Sequence, residues 1–394
     1  MKNEWTAKNL GDVCRVIGGG TPSKNNAEYY SGEIPWATVR DLRSDVITET
    51  ECKITKAAVV SSATNIIPGG NVVIATRVGL GKVCLLGQDT AINQDLRGIV
   101  PINSKVLSVR FLFWWLKSIA DSIIAEGTGA TVQGVKLPFV KSLQIPVPPL
   151  PEQQRIVEIL DEAFEGIATA KANAEKNLQN ARALFESHLQ SVFTQRGEGW
   201  VDRTLDQVCI VERGSSPRPI KNYFTTDPDG VNWIKIGDTE EGGKYVYSTA
   251  QKITPEGAKQ SRFVKEGDFI LTNSMSYGRP YIMKTSGYIH DGWFVLRLNI
   301  SIDTDYFYYL LSSRFVQSQF AKLASGSVVK NISGDLVKKA VLPIPPLAHQ
   351  HVIVEKLLEI SAETKRLESI YQQKLVELEA LKKSLLDQAF TGNL

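Results

Sequence analysis

The chain matches itself at a shift of 195 to 197 residues, close to half of its 394-residue length. At 195, Trp5 meets Trp200, Leu10 meets Leu205, Val13-Cys14 meets Val208-Cys209, Gly19 meets Gly214, Thr21 meets Ser216 and Pro22 meets Pro217. At 197, Trp36 meets Trp233, Asp41 meets Asp238, and Gly70-Asn71-Val72-Val73-Ile74 meets Gly267-Asp268-Phe269-Ile270-Leu271. Gly81-Lys82 falls on Gly278-Arg279, and Ile145-Pro146-Val147-Pro148-Pro149-Leu150 on Leu342-Pro343-Ile344-Pro345-Pro346-Leu347. Leu184, Ser187, Phe193 and Thr194 still land on Leu381, Ser384, Phe390 and Thr391. A nearly constant offset over so many positions fixes the architecture before any motif is weighed. The chain is a tandem duplication of a globular part followed by a helix.

The globular parts read as mixed strand and helix. Val72-Val73-Ile74-Ala75 and Phe269-Ile270-Leu271 are short β-branched or aromatic runs opened by Gly-Asn or Gly-Asp, the pattern of a buried strand after a turn. Phe111, Trp114, Trp115 and Leu116 have helical spacing, as do Tyr306, Tyr309, Leu310 and Leu311. Stripes of this kind are read as core in preference to a stacking platform for bases.

A helix cannot run through Pro146, Pro148 and Pro149, since each lacks a backbone donor and disfavours helical geometry in the residue before it. Beyond Pro151 the pattern changes. Ile156, Leu160, Ala163, Ile167, Ala170, Ala174, Asn177, Ala181, Leu184 and His188 recur at alternating steps of four and three. In the second copy the series is Ile353, Leu357, Ile360, Thr364, Leu367, Tyr371, Lys374, Leu378, Leu381 and Leu385. Both read as coiled-coil seams, with the polar Asn177 and Lys374 at matching places to fix register. Helices of about 45 residues would be roughly 65 Å long. Two homologous seams in one chain are expected to pack on each other antiparallel, holding the globular parts at opposite ends of a rigid spacer; pairing between molecules is the alternative. The expected fold is α+β: two homologous mixed α/β parts (1–149 and 197–346) separated by two long coiled-coil helices (150–196 and 347–394), with pseudo-twofold symmetry.

Chemistry is conspicuous by the motifs that fail. Gly79-Leu80-Gly81-Lys82-Val83 lacks the first glycine and the hydroxyl of a phosphate-binding P-loop. Asp161-Glu162-Ala163-Phe164 resembles a helicase acidic box but lies inside the amphipathic helix, where a solvated face is the simpler reading. Pro148-Pro149-Leu150 is no adenine methyltransferase motif, and Pro228-Asp229 with Glu241-Gly242-Gly243-Lys244 has one residue too many for the common nuclease pattern. His349 and His351, two apart, fall on different sides of a helix with no partner ligand, so no metal is expected. The four cysteines (Cys14, Cys52, Cys84, Cys209) form no C-x-x-C pair and read as buried thiols. No apolar run approaches a membrane span and the first residues lack a secretion signal, so a cytoplasmic location is expected. A net charge of +3 permits nucleic-acid binding without arguing for it. This favours a binding protein that lends specificity to another enzyme.

Loops of both globular parts carry the groups that hold phosphates: backbone amides, hydroxyls and cations. Gly18-Gly19-Gly20-Thr21-Pro22-Ser23-Lys24 and Gly214-Ser215-Ser216-Pro217-Arg218 form one pair. Gly127 to Gln133, with Thr131, and Ser325 to Asn331, with Lys330, form the other; either pair could serve as plain turns. Lys82 and Arg279 stand at equivalent positions beside glycines, suited to phosphate or guanine. The candidate DNA-contacting set is Thr21, Ser23, Lys24, Arg77, Lys82, Thr131, Gln133 and Lys136 in the first copy, and Ser216, Arg218, Lys221, Tyr277, Arg279, Lys330 and Asn331 in the second.

Together these residues resemble the specificity subunits of type I restriction–modification systems. Leu10-Gly11-Asp12-Val13, Gly19-Gly20-Thr21-Pro22-Ser23 and Gly32-Glu33-Ile34-Pro35-Trp36 look like the start of that family's target-recognition domain. Thr131-Val132-Gln133-Gly134-Val135 and Ile145 to Ile156, with Pro151-Glu152-Gln153-Gln154, look like its end and the entry into the spacer helix. The second copy departs at Ala348-His349-Gln350-His351 and at Ser215-Ser216-Pro217-Arg218. The resemblance implies a non-catalytic chain whose two recognition domains each read one half of a split double-stranded DNA site. It implies docking of two methyltransferase subunits and of restriction–motor subunits, with S-adenosylmethionine, ATP and magnesium bound by those partners and no cofactor here. A coiled-coil adaptor whose globular ends bind proteins is the competing reading.

Overall fold

The runs opened by Gly70-Asn71 and Gly267-Asp268 form strands, Val72–Ala75 and Phe269–Thr272, each buried at every position. They are the central strands of two equivalent sheets in a computed structural model of the chain, which describes residues 5–127, 134–240, 242–273, 278–324 and 333–394. The fold is α+β, and the chain divides into two units: 1–175 with 372–394, and 176–371.

In the first unit, a five-stranded sheet runs in the order Cys14–Gly18, Leu96–Pro101, Val72–Ala75, Val83–Leu86, Val46–Ile47. A four-stranded sheet runs Cys52–Ile54, Ile34–Ala37, Thr90–Ile92, Asn65–Ile67, with Trp36 opposite Ala91 in a parallel pair. Thr6–Asn9 pairs antiparallel with Gln144–Val147, which closes the globular part just before the prolines. The second unit repeats this plan. Its first sheet runs Cys209–Arg213, Trp293–Leu298, Phe269–Thr272, Pro280–Met283, Tyr245–Val246, and Val201–Thr204 pairs with Val341–Ile344. Its second sheet gains one edge strand, Phe224–Thr225, and sets Trp233 parallel to Tyr288 as Trp36 is to Ala91. The aromatic stripes are core: Phe111, Trp114 and Trp115 are buried in one unit, Tyr306, Tyr309 and Leu310 in the other.

The two long helices span Leu150–Thr194 and Leu347–Thr391, 45 residues each. Within each unit their segments run antiparallel. Lys171 pairs with Glu379 at 2.7 Å in the first unit, and Arg182 with Glu368 at 3.1 Å in the second. Ile156, Leu160, Leu386 and Ala389 join the Phe111–Trp115 core, while Leu189, Phe193, Val354 and Leu357 join the Tyr306–Leu311 core. Among the described residues, no helix is long and apolar enough to cross a membrane.

The seam differs from the expected one where each helix nears its C-terminus. Leu184 is 60% and Leu381 47% exposed, while Leu189, Phe193, Leu386 and Ala389 are buried. Asn177 and Lys374 are exposed too and cannot fix register from within a seam. A helix of 3.6 residues per turn drifts about 20° per heptad from a strict seven-residue repeat. Over several heptads the buried stripe therefore slides from the Leu184–His188 row to the Phe185–Leu189 row. Asp161, read above as part of a solvated face, accepts from Trp114 Nε1 at 2.7 Å and pairs with Arg110 at 2.6 Å.

A buried glutamine joins helix to globular part in both copies. Gln153 Oε1 accepts from the Ser108 amide at 2.8 Å, and its Nε2 donates to the Val106 and Pro148 carbonyls, both at 2.8 Å. Gln350, 197 positions on, accepts from the Asp303 amide at 2.8 Å and donates to the Pro345 carbonyl at 2.9 Å. Ser108 and Asp303 are the N-cap residues of the aromatic helices Val109–Ser118 and Thr304–Ser312. The second copy's departure at Ala348-His349-Gln350-His351 thus keeps the one side chain that makes this joint.

Candidate nucleic-acid interface

The Gly-rich loops follow the edge strands Cys14–Gly18 and Cys209–Arg213 of the first sheets and cross the end of the second sheets at close range. A Cβ on Gly19 would lie 2.1 Å from the Asn93 carbonyl oxygen, and one on Gly214 would lie 2.1 Å from that of His290. No side chain fits there, which explains the repeated glycine. Asn93 and His290 are themselves repeat equivalents, so both units bring the same two segments together.

The contact is made by a hydroxyl on an adjacent polar side chain. In the first unit Thr21 Oγ1 bonds Gln94 Oε1; in the second Ser216 Oγ donates to Asp291 Oδ1 at 2.7 Å. A cavity opens beside each pair. The first, about 700 Å³, is lined by Thr21, Lys24, Trp36, Arg40, Gln94 and Asp95, among others. The second, about 680 Å³, is lined by Ser216, Arg218, Lys221, Trp233, Lys235 and Asp291, among others. The frame is shared and the chemistry is not. Asp41, Glu51 and Asp95 face the first cavity against Lys24 and Arg40, whereas Arg218, Lys221 and Lys235 face the second against Asp291 alone.

Of the candidates named from the sequence, Thr21 and Lys24 share the first cavity, and Ser216, Arg218 and Lys221 the second. Arg77 reaches the first through Asp95, 3.6 Å away. Lys136, exposed at the N-cap of Leu137–Ser142, is held near Arg77 by the Val135 amide donating to the Thr76 carbonyl at 2.9 Å. Ser23 contributes its carbonyl to a turn, accepting from the Asn26 amide at 3.3 Å. Lys82 is exposed in the turn closed by its amide on the Gly79 carbonyl. Its repeat partner Arg279 lies 6.0 Å from the Tyr281 ring centre and faces a different cavity, lined by Tyr308, Glu186 and Glu368. Thr131, Gln133, Tyr277, Lys330 and Asn331 lie outside the described residues.

Gln94, Arg97, His290 and Asp291 were missed, because they lie outside the Gly-rich loops from which the candidates were drawn. Burial, and then Arg77 beside it, pull Arg97 below the usual guanidinium value, with Asp95 acting the other way. Two guanidiniums around one carboxylate leave an excess positive charge that suits an anion. The Ser216 hydroxyl holds Asp291 below the usual carboxylate range, with Arg218 helping. Burial depresses His290. The amides of Gly292 and Ile236 face its two ring nitrogens at 2.8 and 3.3 Å, and an imidazolium could accept from neither.

Two stretches, 2–179 and 197–379, match the family model described as the type I restriction modification DNA specificity domain. The chain belongs to this family. The type I EcoR124I/EcoR124II specificity subunit of Escherichia coli is 36% identical over 165 residues, 40% of each chain. The MjaIX specificity subunit of Methanocaldococcus jannaschii is 24% identical across 100% of this chain and 94% of its own. Two solved structures share the fold at 20% identity. A chain from work on assembly and conformational transition of the type I R-M system gives a TM-score of 0.82 over 100% of this chain and 99% of its own. The HsdS subunit from Thermoanaerobacter tengcongensis gives 0.66 over 100% and 98%. As a type I specificity subunit, this chain supplies DNA-sequence recognition and leaves catalysis to partner subunits.

The cysteines provide a probe of this surface. Cys14, Cys84 and Cys209 are buried, and burial pushes their thiols up to about 12, about 11 and about 12. Cys52 departs from the buried reading: it begins the edge strand Cys52–Ile54, is exposed, and lines the first cavity. Since the thiolate is the nucleophile, a maleimide at neutral pH should modify one thiol per folded chain and four after unfolding. DNA that covers the first cavity should slow the Cys52 reaction; rapid modification of two or more thiols in folded protein would contradict this burial.

Proposed function

We propose that this specificity subunit directs adenine methylation and restriction to a split, asymmetric double-stranded DNA site. Residues 1–149 read one half, residues 197–346 read the other, and the helices at 150–196 and 347–394 set the unread interval. The observation that carries this reading is the pair of equivalent cavities. Duplication gives both domains one frame, while Gln94 against Asp291 and Thr38 against Lys235 give them different surfaces. An asymmetric site needs that combination.

Lys24, Lys82, Lys136, Lys221 and Arg77 are exposed cations for the phosphate backbone, with the half-buried Arg97 behind Asp95. Thr21, Ser23 and Ser216 supply hydroxyls, and Arg279 is the candidate of the second domain's other cavity. The long helices dock two methyltransferase subunits, to which restriction–motor subunits are added. Those partners bind S-adenosylmethionine, ATP and magnesium, and the complex works in the cytoplasm. Near-neutral charge fits this arrangement, because partners share the DNA clamp.

Methylated adenines mapped by long-read sequencing, in cells carrying the methyltransferase partner with and without this chain, test the reading. A bipartite motif with adenines on opposite strands should appear only with the chain. An assembled complex that leaves no such motif would replace this reading with the protein-binding adaptor.

A further inference from the structure

The second cavity contains one cation whose setting differs from all the lysines around it. Arg218 lies between Pro217 and Pro219, with its side chain 78% exposed, and its Nη2 donates to Asp291 Oδ2 at 3.0 Å. Asp291 is itself anchored. It accepts from Ser216 Oγ at 2.7 Å through its other oxygen, and its amide faces the same hydroxyl at 3.3 Å. Two prolines with fixed φ limit the loop's backbone, and the carboxylate limits the guanidinium.

We propose that Arg218 reads a guanine in the half-site of the second recognition domain and that Asp291 is the residue that positions it. The inference rests on the reading given under Proposed function and names one of its specificity determinants. Two contacts compete for an exposed arginine on such a surface. A phosphate rewards net charge, which a free lysine supplies at least as well. Asp291 cancels most of Arg218's charge, so the pair gains little from the backbone field. What remains is directional: a guanidinium has five N–H donors and Asp291 takes one, leaving a planar fork. Guanine offers that fork O6 and N7 on its major-groove edge, the commonest specific contact of arginine. Lys221 and Lys235, on the same cavity, are the free cations left for phosphates.

The hydroxyl anchor of Asp291 holds the carboxylate ionised well below neutral pH, so the brace persists at working pH. In the first domain Arg77 stands 3.6 Å from Asp95, beyond a hydrogen bond, and the positions equivalent to Arg218 and Asp291 differ. Gln94 stands for Asp291, Ser23 for Arg218 at the 195 shift, and Gln94 spends its amide on Thr21 and Asp95. The Arg218–Asp291 pair therefore has no counterpart at the equivalent positions of the first domain. The solvent-exposed pair adds little to folding, so its variants should fold.

The test is the methylation motif written by the assembled complex with wild-type chain, Arg218→Ala, Arg218→Lys and Asp291→Asn. Wild type should specify a guanine in the half that persists when residues 1–149 are exchanged. Arg218→Ala should cut discrimination at that one position by about tenfold to a hundredfold, with every other position kept. Arg218→Lys should not restore it, since lysine lacks the fork, and Asp291→Asn should relax the same position less. An unchanged motif with Arg218→Ala would overturn the proposal. So would methylation lowered evenly at all sites, or full rescue by lysine, both marks of a phosphate contact. No motif from assembled wild-type complex would instead bring down the parent reading, and this inference with it.

Discussion

Gln153→Met will lower the melting temperature of the first unit by roughly 6–12 °C. Methionine fills nearly the same volume, so the loss is polar: the Ser108 amide and the Val106 and Pro148 carbonyls all lose their side-chain partner. Gln153 is 0% exposed. A buried group left unsatisfied costs about 1–3 kcal/mol, and three such groups at the low end make about 3 kcal/mol. In a domain of this size each kcal/mol moves the melting point by about 2–4 °C. Gln350→Met strands two groups and should cost about 2 kcal/mol, felt in the second unit. Calorimetry gives the ordering. Hydrogen exchange gives the place, because Gln153→Met should deprotect the start of Val109–Ser118 and leave Thr304–Ser312 alone. A melting point within about 2 °C of wild type would mean that water satisfies these groups and the joint is unimportant.

That joint illustrates how the sequence was legible and where it was not. The repeat, the α+β class, the aromatic cores and the long helices all rest on apolar spacing, and apolar residues report burial directly. Polar residues are ambiguous. Gln153 lay inside a motif quoted for its family resemblance, and nothing in its spacing told that it is buried; only its shift to Gln350 could have done so. Asp161 looked solvated because carboxylates usually are, and Trp114 and Arg110, about fifty positions earlier, hold it instead. Asn177 and Lys374 were placed in the seam by a seven-residue count that an ordinary helix does not keep over such length. The site divides in the same way. Thr21, Lys24, Ser216, Arg218 and Lys221 were found because glycines and prolines mark their loop. Gln94 and Asp291, which bond the loop hydroxyls from a turn some 75 residues later, carry no mark that ties them to that loop.

Exchanging residues 1–149 for those of another family member will replace one half of the recognised DNA site and leave the other half unchanged. The globular part is suited to such a graft. Its first strand, Thr6–Asn9, pairs with its last, Gln144–Val147, and Pro148-Pro149 separates that closure from the helix. What the graft must satisfy lies on the helices that remain. Ile156, Leu160, Leu386 and Ala389 need an apolar counterpart to Phe111 and Trp115, and Asp161 needs the Trp114 indole and Arg110. A donor without those two residues strands a half-buried carboxylate at a cost of about 1–3 kcal/mol. Poorly folding chimeras should therefore recover when arginine and tryptophan are restored at positions 110 and 114. Motifs mapped for folded chimeras then decide the issue. If both halves change together, the domains are not independent readers, and the asymmetry of the two cavities has another meaning. If only one half changes, the half that stays belongs to the domain of Arg218 and Asp291, and that half must hold any guanine they read.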